Sequence, residues 1–295
     1  MNRIPRGSFA LCKRLAGVAL LCVLSSWARA AVLHVPASVE AGQSFSIPVE
    51  GSGQATFYLV GPDHVVKRSV SLGSDLQIPA SDVRAAGHYR AILCDPSCTA
   101  ATFEVKAAPP AHLSFFLHPS RVPVSTPASI DATALVFDQY FNLVLTPAAV
   151  DFQVTPARGA GFTRRSSTRH GVTWIRMDST PREGPVQVTA VLDHVEEARV
   201  IQQVAAEACG LRMKAVTSGN LVTLETDPVR DCSGNALPDG TVVSFTKVDE
   251  AGKSTVDTPI KKGKARVQFS VHGRAQVSVA CGVVLGNEVA LNGGL

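Results

Sequence analysis

Ser244-Phe-Thr-Lys247 places a lysine three residues after a serine. In serine acyl-enzymes a lysine one helical turn beyond the serine accepts its proton. Here the pair lies on a predicted strand, where an odd separation sends the two side chains to opposite faces. It is read as a chance match. The eight histidines are scattered, and His112 and His118 share strand parity but lie too far apart to chelate one ion. No His-Glu-x-x-His or paired Cys-x-x-Cys run occurs, so no zinc site is expected. Asp227, Asp231 and Asp239 gather about one loop with Asn235. Carboxylates and loop carbonyls can hold calcium, but the EF-hand spacing is missing. Turn formation, for which Asp and Asn are well suited, is the preferred reading. No catalytic residue, metal or cofactor is expected.

Cysteines and basic clusters are the remaining chemistry. Cys94-Asp-Pro-Ser-Cys98 brackets a proline-containing tip between the predicted strands Tyr89–Leu93 and Ala101–Val105, and a disulfide there would staple a hairpin. Cys209, Cys232 and Cys281 lie in the last third of the chain, and one pair among the three is expected. Which pair closes is left open by the sequence. Arg164-Arg165-x-x-x-Arg169-His170 and Lys261-Lys262-x-Lys264-x-Arg266 stand at corresponding places in an internal repeat. They are candidate binding residues for an anionic glycan or another acidic partner. The alternative use is to blunt a strand edge with charge.

The elements that position these residues begin with a leader. Arg3, Arg6, Lys13 and Arg14 precede the apolar run Leu15–Leu24, and Ala28-Arg29-Ala30 follows. This is the pattern of a secretory signal, with cleavage expected before Ala31. The run is too short to span a bilayer, and no later stretch reaches spanning length. Export puts the remaining five cysteines in an oxidising compartment, and the odd count leaves at least one thiol free or intermolecular. Without the five basic residues of the leader, the chain carries 23 basic and 24 acidic residues. That balance speaks against a nucleic-acid partner. With 45% hydrophobic and 18% charged residues, the chain has the means to bury cores.

Period-2 alternation marks strands at Phe45–Val49, Val186–Ala190 and Arg266–Val271. Val195–Val204 has a composition compatible with helix, but its place after a strand and a turn predicts a final strand. Asp138-x-x-x-Asn142 with Val150-x-Phe152 returns 93 residues later as Asp231-x-x-x-Asn235 with Val243-x-Phe245. Gly171–Met177 corresponds to Gly263–Phe269, and Gly184–Thr189 to Gly273–Ser278. The repeat predicts domains of roughly ninety residues, the size of an immunoglobulin-like sandwich. Gly87-His-Tyr89 marks a more diverged first copy and resembles the tyrosine-corner segment of such folds. The expected architecture is all-β: a signal peptide (1–30) followed by three tandem immunoglobulin-like sandwiches (31–108, 109–206 and 207–295). Ala107-Ala-Pro-Pro110 and Ala205-Ala-Glu-Ala208 are the linkers, short enough to predict semi-rigid connections.

Asp231-Cys-Ser-Gly-Asn235-Ala-Leu-Pro-Asp-Gly240-Thr-Val-Val-Ser-Phe245 resembles the bacterial group-1 immunoglobulin-like domains of invasin and intimin type. Lys264–Phe269 and Ala275–Val279 resemble two later strands of that family. The resemblance implies an extracytoplasmic adhesion, spacer or stalk module. It does not supply the family's outer-membrane barrel or terminal lectin-like module, for which residues 31–295 show no pattern. The expected function is a non-enzymatic binding or spacer protein of the bacterial envelope, periplasmic or at the surface. Its partner would be an envelope or extracellular protein or an anionic glycan. The alternatives are an accessory subunit joined through sheet edges and, last, a hydrolytic or carbohydrate-active enzyme.

Overall fold

Alternation along each strand builds the cores. In Ile130–Asp138 the side chains of Ile130, Ala132, Ala134, Val136 and Asp138 are buried while those between them are partly open. Strands of this kind need a second sheet to cover the apolar face, and sandwiches are the result. The computed structural model describes residues 32–218, 221–271 and 273–292. The predicted signal segment lies outside the described residues. The chain divides into two compact units between Lys106 and Ala107.

The first unit contains β1 (Ser38–Glu40), β2 (Phe45–Ile47), β3 (Gln54–Val60), β4 (Val65–Ser71), β5 (Leu76–Ile78), β6 (Gly87–Asp95) and β7 (Ser97–Lys106). One sheet has the order β1-β7-β6-β3-β4, and β2 pairs with β5 opposite it. Ile47, Phe57, Leu59, Ile78, Tyr89 and Leu93 fill the space between. The Tyr89 hydroxyl donates to the Ala85 carbonyl at 3.0 Å, a tyrosine corner. A Cβ on Gly61 would come within 2.5 Å of the Tyr89 ring, so this close approach requires glycine. Burial, helped by the charge of Asp63, pushes the phenol up to about 12.

The second unit holds two separate cores. Around Phe115, Val136, Phe152, Val188 and Ile201 lie β8 (Pro110–His118), β9 (Arg121–Pro123), β10 (Ile130–Asp138), β11 (Ala149–Pro156), β12 (Phe162–Ser167), β13 (Val172–Met177), β14 (Gly184–Leu192) and β15 (Val195–Val204). The sheets are β13-β10-β8 and β12-β11-β14-β15-β9. Around Leu224, Phe245, Val267, Phe269 and Val277 lie β16 (Met213–Ser218), β17 (Leu221–Thr226), β18 (Val242–Asp249), β19 (Gly252–Pro259), β20 (Arg266–Ser270), β21 (Arg274–Cys281) and β22 (Val284–Asn292). Here the sheets are β16-β17-β20 and β19-β18-β21-β22.

Hydrogen bonds fix how the two copies correspond. Val136 donates to the Gly171 carbonyl, and Val229 to the Gly263 carbonyl, both at 2.9 Å. Each carbonyl sits in a two-residue turn, His170-Gly171 or Lys262-Gly263, with φ near 51° and 80° in both. Positive φ at both central residues is the type I′ hairpin geometry, and glycine serves the second position without strain.

The Asp-x-x-x-Asn repeat is a buried clamp. Asp138 accepts from the backbone N–H of Tyr140 and Asn142, from Asn142 Nδ2, and from the N–H of Ala108. Asp231 accepts from Ser233, Asn235, Asn235 Nδ2 and Ala206 in the same pattern. Each carboxylate therefore ties its own loop to the segment that leads into its domain. In the third domain Asn235 goes further. Its Nδ2 donates to the Pro181 carbonyl at 3.0 Å and its Oδ1 accepts from Glu183 N at 3.3 Å, both in the preceding domain.

Candidate functional site

Two side-chain sets on exposed sheet surfaces are candidates for binding. The first is the basic cluster at the head of β20. Lys261 and Lys262 enter the turn, and Lys264 and Arg266 leave it. Glu225 on β17 holds both of the latter, with Lys264 Nζ at 2.8 Å and Arg266 Nη2 at 2.6 Å. Hydrogen bonds from Lys264 and Arg266 hold the Glu225 carboxyl below the usual carboxylate range. Among the described residues neither Lys261 nor Lys262 has a carboxylate partner. A groove of about 650 Å³ lies beside them, lined also by Thr258, Pro259 and Gln268.

The corresponding arginines are arranged differently. Arg169 and His170 stand where Lys261 and Lys262 stand, at the equivalent turn. Arg164 and Arg165 do not match Lys261 and Lys262. They lie one strand earlier, on the edge strand β12. Arg165 forms a two-bond ion pair with Asp151 across the ladder, at 2.7 and 2.6 Å. Hydrogen bonds from Arg165 hold the Asp151 carboxyl below its ordinary range. Arg164 donates to the Arg176 carbonyl at 2.8 Å. The clusters are adjacent in sequence but split between a turn and a strand, and only their turn halves correspond.

The second surface is aromatic and was not among the residues singled out from sequence. It covers the outward face of β13-β10-β8. Cross-strand register aligns Trp174, Thr133 and Phe116 in one row. Trp174 is 62% exposed and Phe116 is 59% exposed. The neighbouring row is Arg176, Asp131 and His118, in which Arg176 and Asp131 form a two-bond ion pair. On the other side lie Val172, Leu135 and Ser114. A signal was available in the sequence. Phe115 and Phe116 are consecutive, and on a strand one of two adjacent residues must face outward. Trp174 shares parity with Arg176, a poor core residue.

The other sequence candidates resolve as follows. Cys94 is bonded to Cys98, and Cys209 to Cys232, while Cys281 is buried and free. Strands β6 and β7 run through the first pair, so Cys94 and Cys98 face each other in the ladder. Burial, with a contribution from the charge of Glu207, pushes the Cys281 thiol up. Asp227 pairs with Lys214, while Asp231 holds its loop. No group of three His, Cys, Asp or Glu converges for a metal among the described residues. Ser244 donates to Asp257, while Lys247 reaches Asp249 and lies 6.0 Å from the Phe269 ring. The serine and lysine thus serve different neighbours.

No protein-family model and no curated protein sequence matches this chain. Solved structures do. FdeC, an adhesin of Escherichia coli, superposes with a TM-score of 0.56 at 14% identity, covering 90% of this chain and 96% of that one. Invasin, a bacterial integrin-binding protein, superposes with a TM-score of 0.54 at 10% identity. That match covers 90% of this chain and 60% of the invasin chain. The fold shared with both is that of tandem immunoglobulin-like domains. No helix among the described residues is long and apolar enough to cross a membrane.

Proposed function

We propose that this chain is an exported, non-enzymatic binding protein of the bacterial envelope. Its three immunoglobulin-like domains, 31–108, 109–206 and 207–295, present side chains on sheet faces and turns to an acidic envelope or extracellular partner. The carrying observation is the turn Lys261-Lys262. Both ammonium groups lack a carboxylate partner among the described residues, although Lys264 and Arg266 a few residues away share Glu225. Unpaired charge beside an open groove is available for a ligand, whereas paired charge is already spent on the fold. The likeness of fold to FdeC and invasin supports a role in adhesion. Sheet-edge pairing is the weaker reading, because the edge strand β12 is blunted by Arg164 and Arg165.

The test is a crosslinking pulldown of tagged residues 31–295 from intact envelope at low and high salt. Retention should fall with salt, and Lys261→Glu with Lys262→Glu should lose it at low salt. Retention indifferent to both changes would exclude this surface.

A further inference from the structure

The two copies in the second unit carry opposite chemistry at one equivalent place. The backbone bonds from Val136 to Gly171 and from Val229 to Gly263 align the two turns, so Trp174 and Arg266, each three residues after the turn glycine, are equivalent, and the ladders supply their cross-strand neighbours. In the third domain the row reads Arg266, Glu225, Lys214 across β20, β17 and β16. In the second domain the same row reads Trp174, Thr133, Phe116. The fold therefore does not need aromatic residues there, since its sister copy is built with charges. Trp174 is also the sole tryptophan of residues 31–295. Placing it 62% exposed forgoes the burial that a large apolar side chain would contribute to stability.

From this contrast we propose that the outward face of β13-β10-β8 is a binding platform for a neutral glycan, with Trp174 and Phe116 stacking on pyranose rings. Several features select this occupant. The face is a sheet surface, suited to a ribbon-like ligand lying across the strands. Trp174 and Phe116 are separated by the intervening β10, and two strand spacings amount to roughly 10 Å. The short Thr133 between them leaves the space above β10 open. The C–H face of a pyranose is apolar and slightly positive, the complement of an aromatic ring face. Sugar hydroxyls project around the ring edge and need hydrogen-bond partners when desolvated. The next row supplies donors and acceptors in Arg176, Asp131 and His118, with the Arg176–Asp131 charges balanced. Balanced charge disfavours a strongly anionic ligand.

Size argues against a protein partner on this face. From Asp131 to Phe137 the strand runs roughly 20 Å, and the three strands span roughly 10 Å from axis to axis, so the platform is a narrow strip. A stable protein interface needs about 800 Å² on each side. A few linked sugar rings fit the strip. This inference is independent of the lysine turn on the third domain, and either can fail alone.

Because Trp174 is the only fluorophore of its kind after leader removal, its emission reports on the platform directly. The mature chain is titrated with linear cello-, chito-, xylo- and malto-oligosaccharides while tryptophan emission is followed. A saturable change with at least one series is expected, insensitive to salt. Phe116→Ala should weaken that binding by at least about tenfold. Trp174→Arg with Thr133→Glu and Phe116→Lys transplants the charged row of the third domain. This variant should fold, as judged by its circular dichroism and melting, and lose the sugar in calorimetric titration. Lys261→Glu with Lys262→Glu should leave sugar binding unchanged. No response to any of the four series overturns the proposal. So does binding that survives the transplant, or a platform found occupied by a protein in crosslinking through position 174.

Discussion

At the residue scale the cysteines and Asp231 make the sharpest statements. The Cys281 thiol is buried, and burial raises its pKa, so the reactive thiolate is scarce near neutral pH. Native protein should resist alkylation. After denaturation without reductant, mass spectrometry of residues 31–295 should find one modified cysteine, at 281. Modification at 209 or 232 would refute the pairing seen here. The bridges close loops of very different length, with sequence separations of 4 and 23. On the chain-entropy estimate, replacing Cys94 and Cys98 by serine costs about 2 kcal/mol, and replacing Cys209 and Cys232 about 3.5 kcal/mol. Denaturant melts of the two double variants should rank in that order. Burial alone would raise the Asp231 carboxyl, but bonds from Asn235 and from the N–H groups of Ala206 and Ser233 outweigh it and hold it low. A carboxyl with a folded pKa below its unfolded value contributes stability above the unfolded pKa. That contribution is lost as pH falls through the folded value. Melting midpoints of the native chain should therefore drop below about pH 4, where unfolded Asp begins to protonate. Asp231→Asn should be less stable at neutral pH and show a flatter acid limb. An unchanged acid limb would mean that Asp231 carries no part of it.

At the element scale, the repeat explains both what the sequence discloses and what it withholds. Strand parity, the Asp-x-x-x-Asn loops and the Gly-led strands are local patterns, so the tandem sandwiches are legible from spacing alone. Val195–Val204 is a strand, as its position after a strand and turn predicts. The pairing of Cys209 with Cys232 is not legible, because three cysteines meet near one end of a sandwich and only packing decides among them. The outward tryptophan is hidden for a similar reason. Parity separates two faces of a strand but does not say which face a partner outside the chain will cover. The basic clusters look equivalent in sequence, yet Arg164 and Arg165 fall on β12 while Lys261 and Lys262 fall in a turn, because residues before the turn belong to a different element. The clamp loops yield a prediction at this scale. Asp138 is fully buried and accepts from three backbone N–H groups. Asp138→Ala would leave these donors unsatisfied and should cost about 3 kcal/mol. Urea unfolding of the full chain would measure it, and a loss near zero would show that water replaces the carboxylate.

At the scale of the whole molecule the question is how separate cores act together. Residues 31–295 carry 23 basic and 24 acidic residues, so long-range steering by them is weak and recognition falls to local surfaces. Local surfaces on successive domains act jointly only if the domains hold a fixed relation. For the second and third domains that relation is built from few bonds. Asn235 grips Pro181 and Glu183, Asp231 holds the linker at Ala206, and the hydroxyls of Ser125 and Ser233 meet at 2.7 Å. Asn235 is 7% exposed, so its bonds are shielded from competing water. It also fills both roles at once, bonding within its own loop through Asp231 and across to the neighbouring domain. This double engagement couples the integrity of the third domain's loop to the presence of the second domain. The two domains should therefore melt together in calorimetry of the full chain. Asn235→Ala removes the bonds to Pro181 and Glu183, leaving the Ser125–Ser233 bond, without touching either hydrophobic core. It should cost about 1–3 kcal/mol and split the shared transition in two. A variant that is less stable but still melts in one step would place the coupling in the linker bond to Asp231 instead. Ala206→Pro, which deletes that donor, would then be the change that separates the transitions.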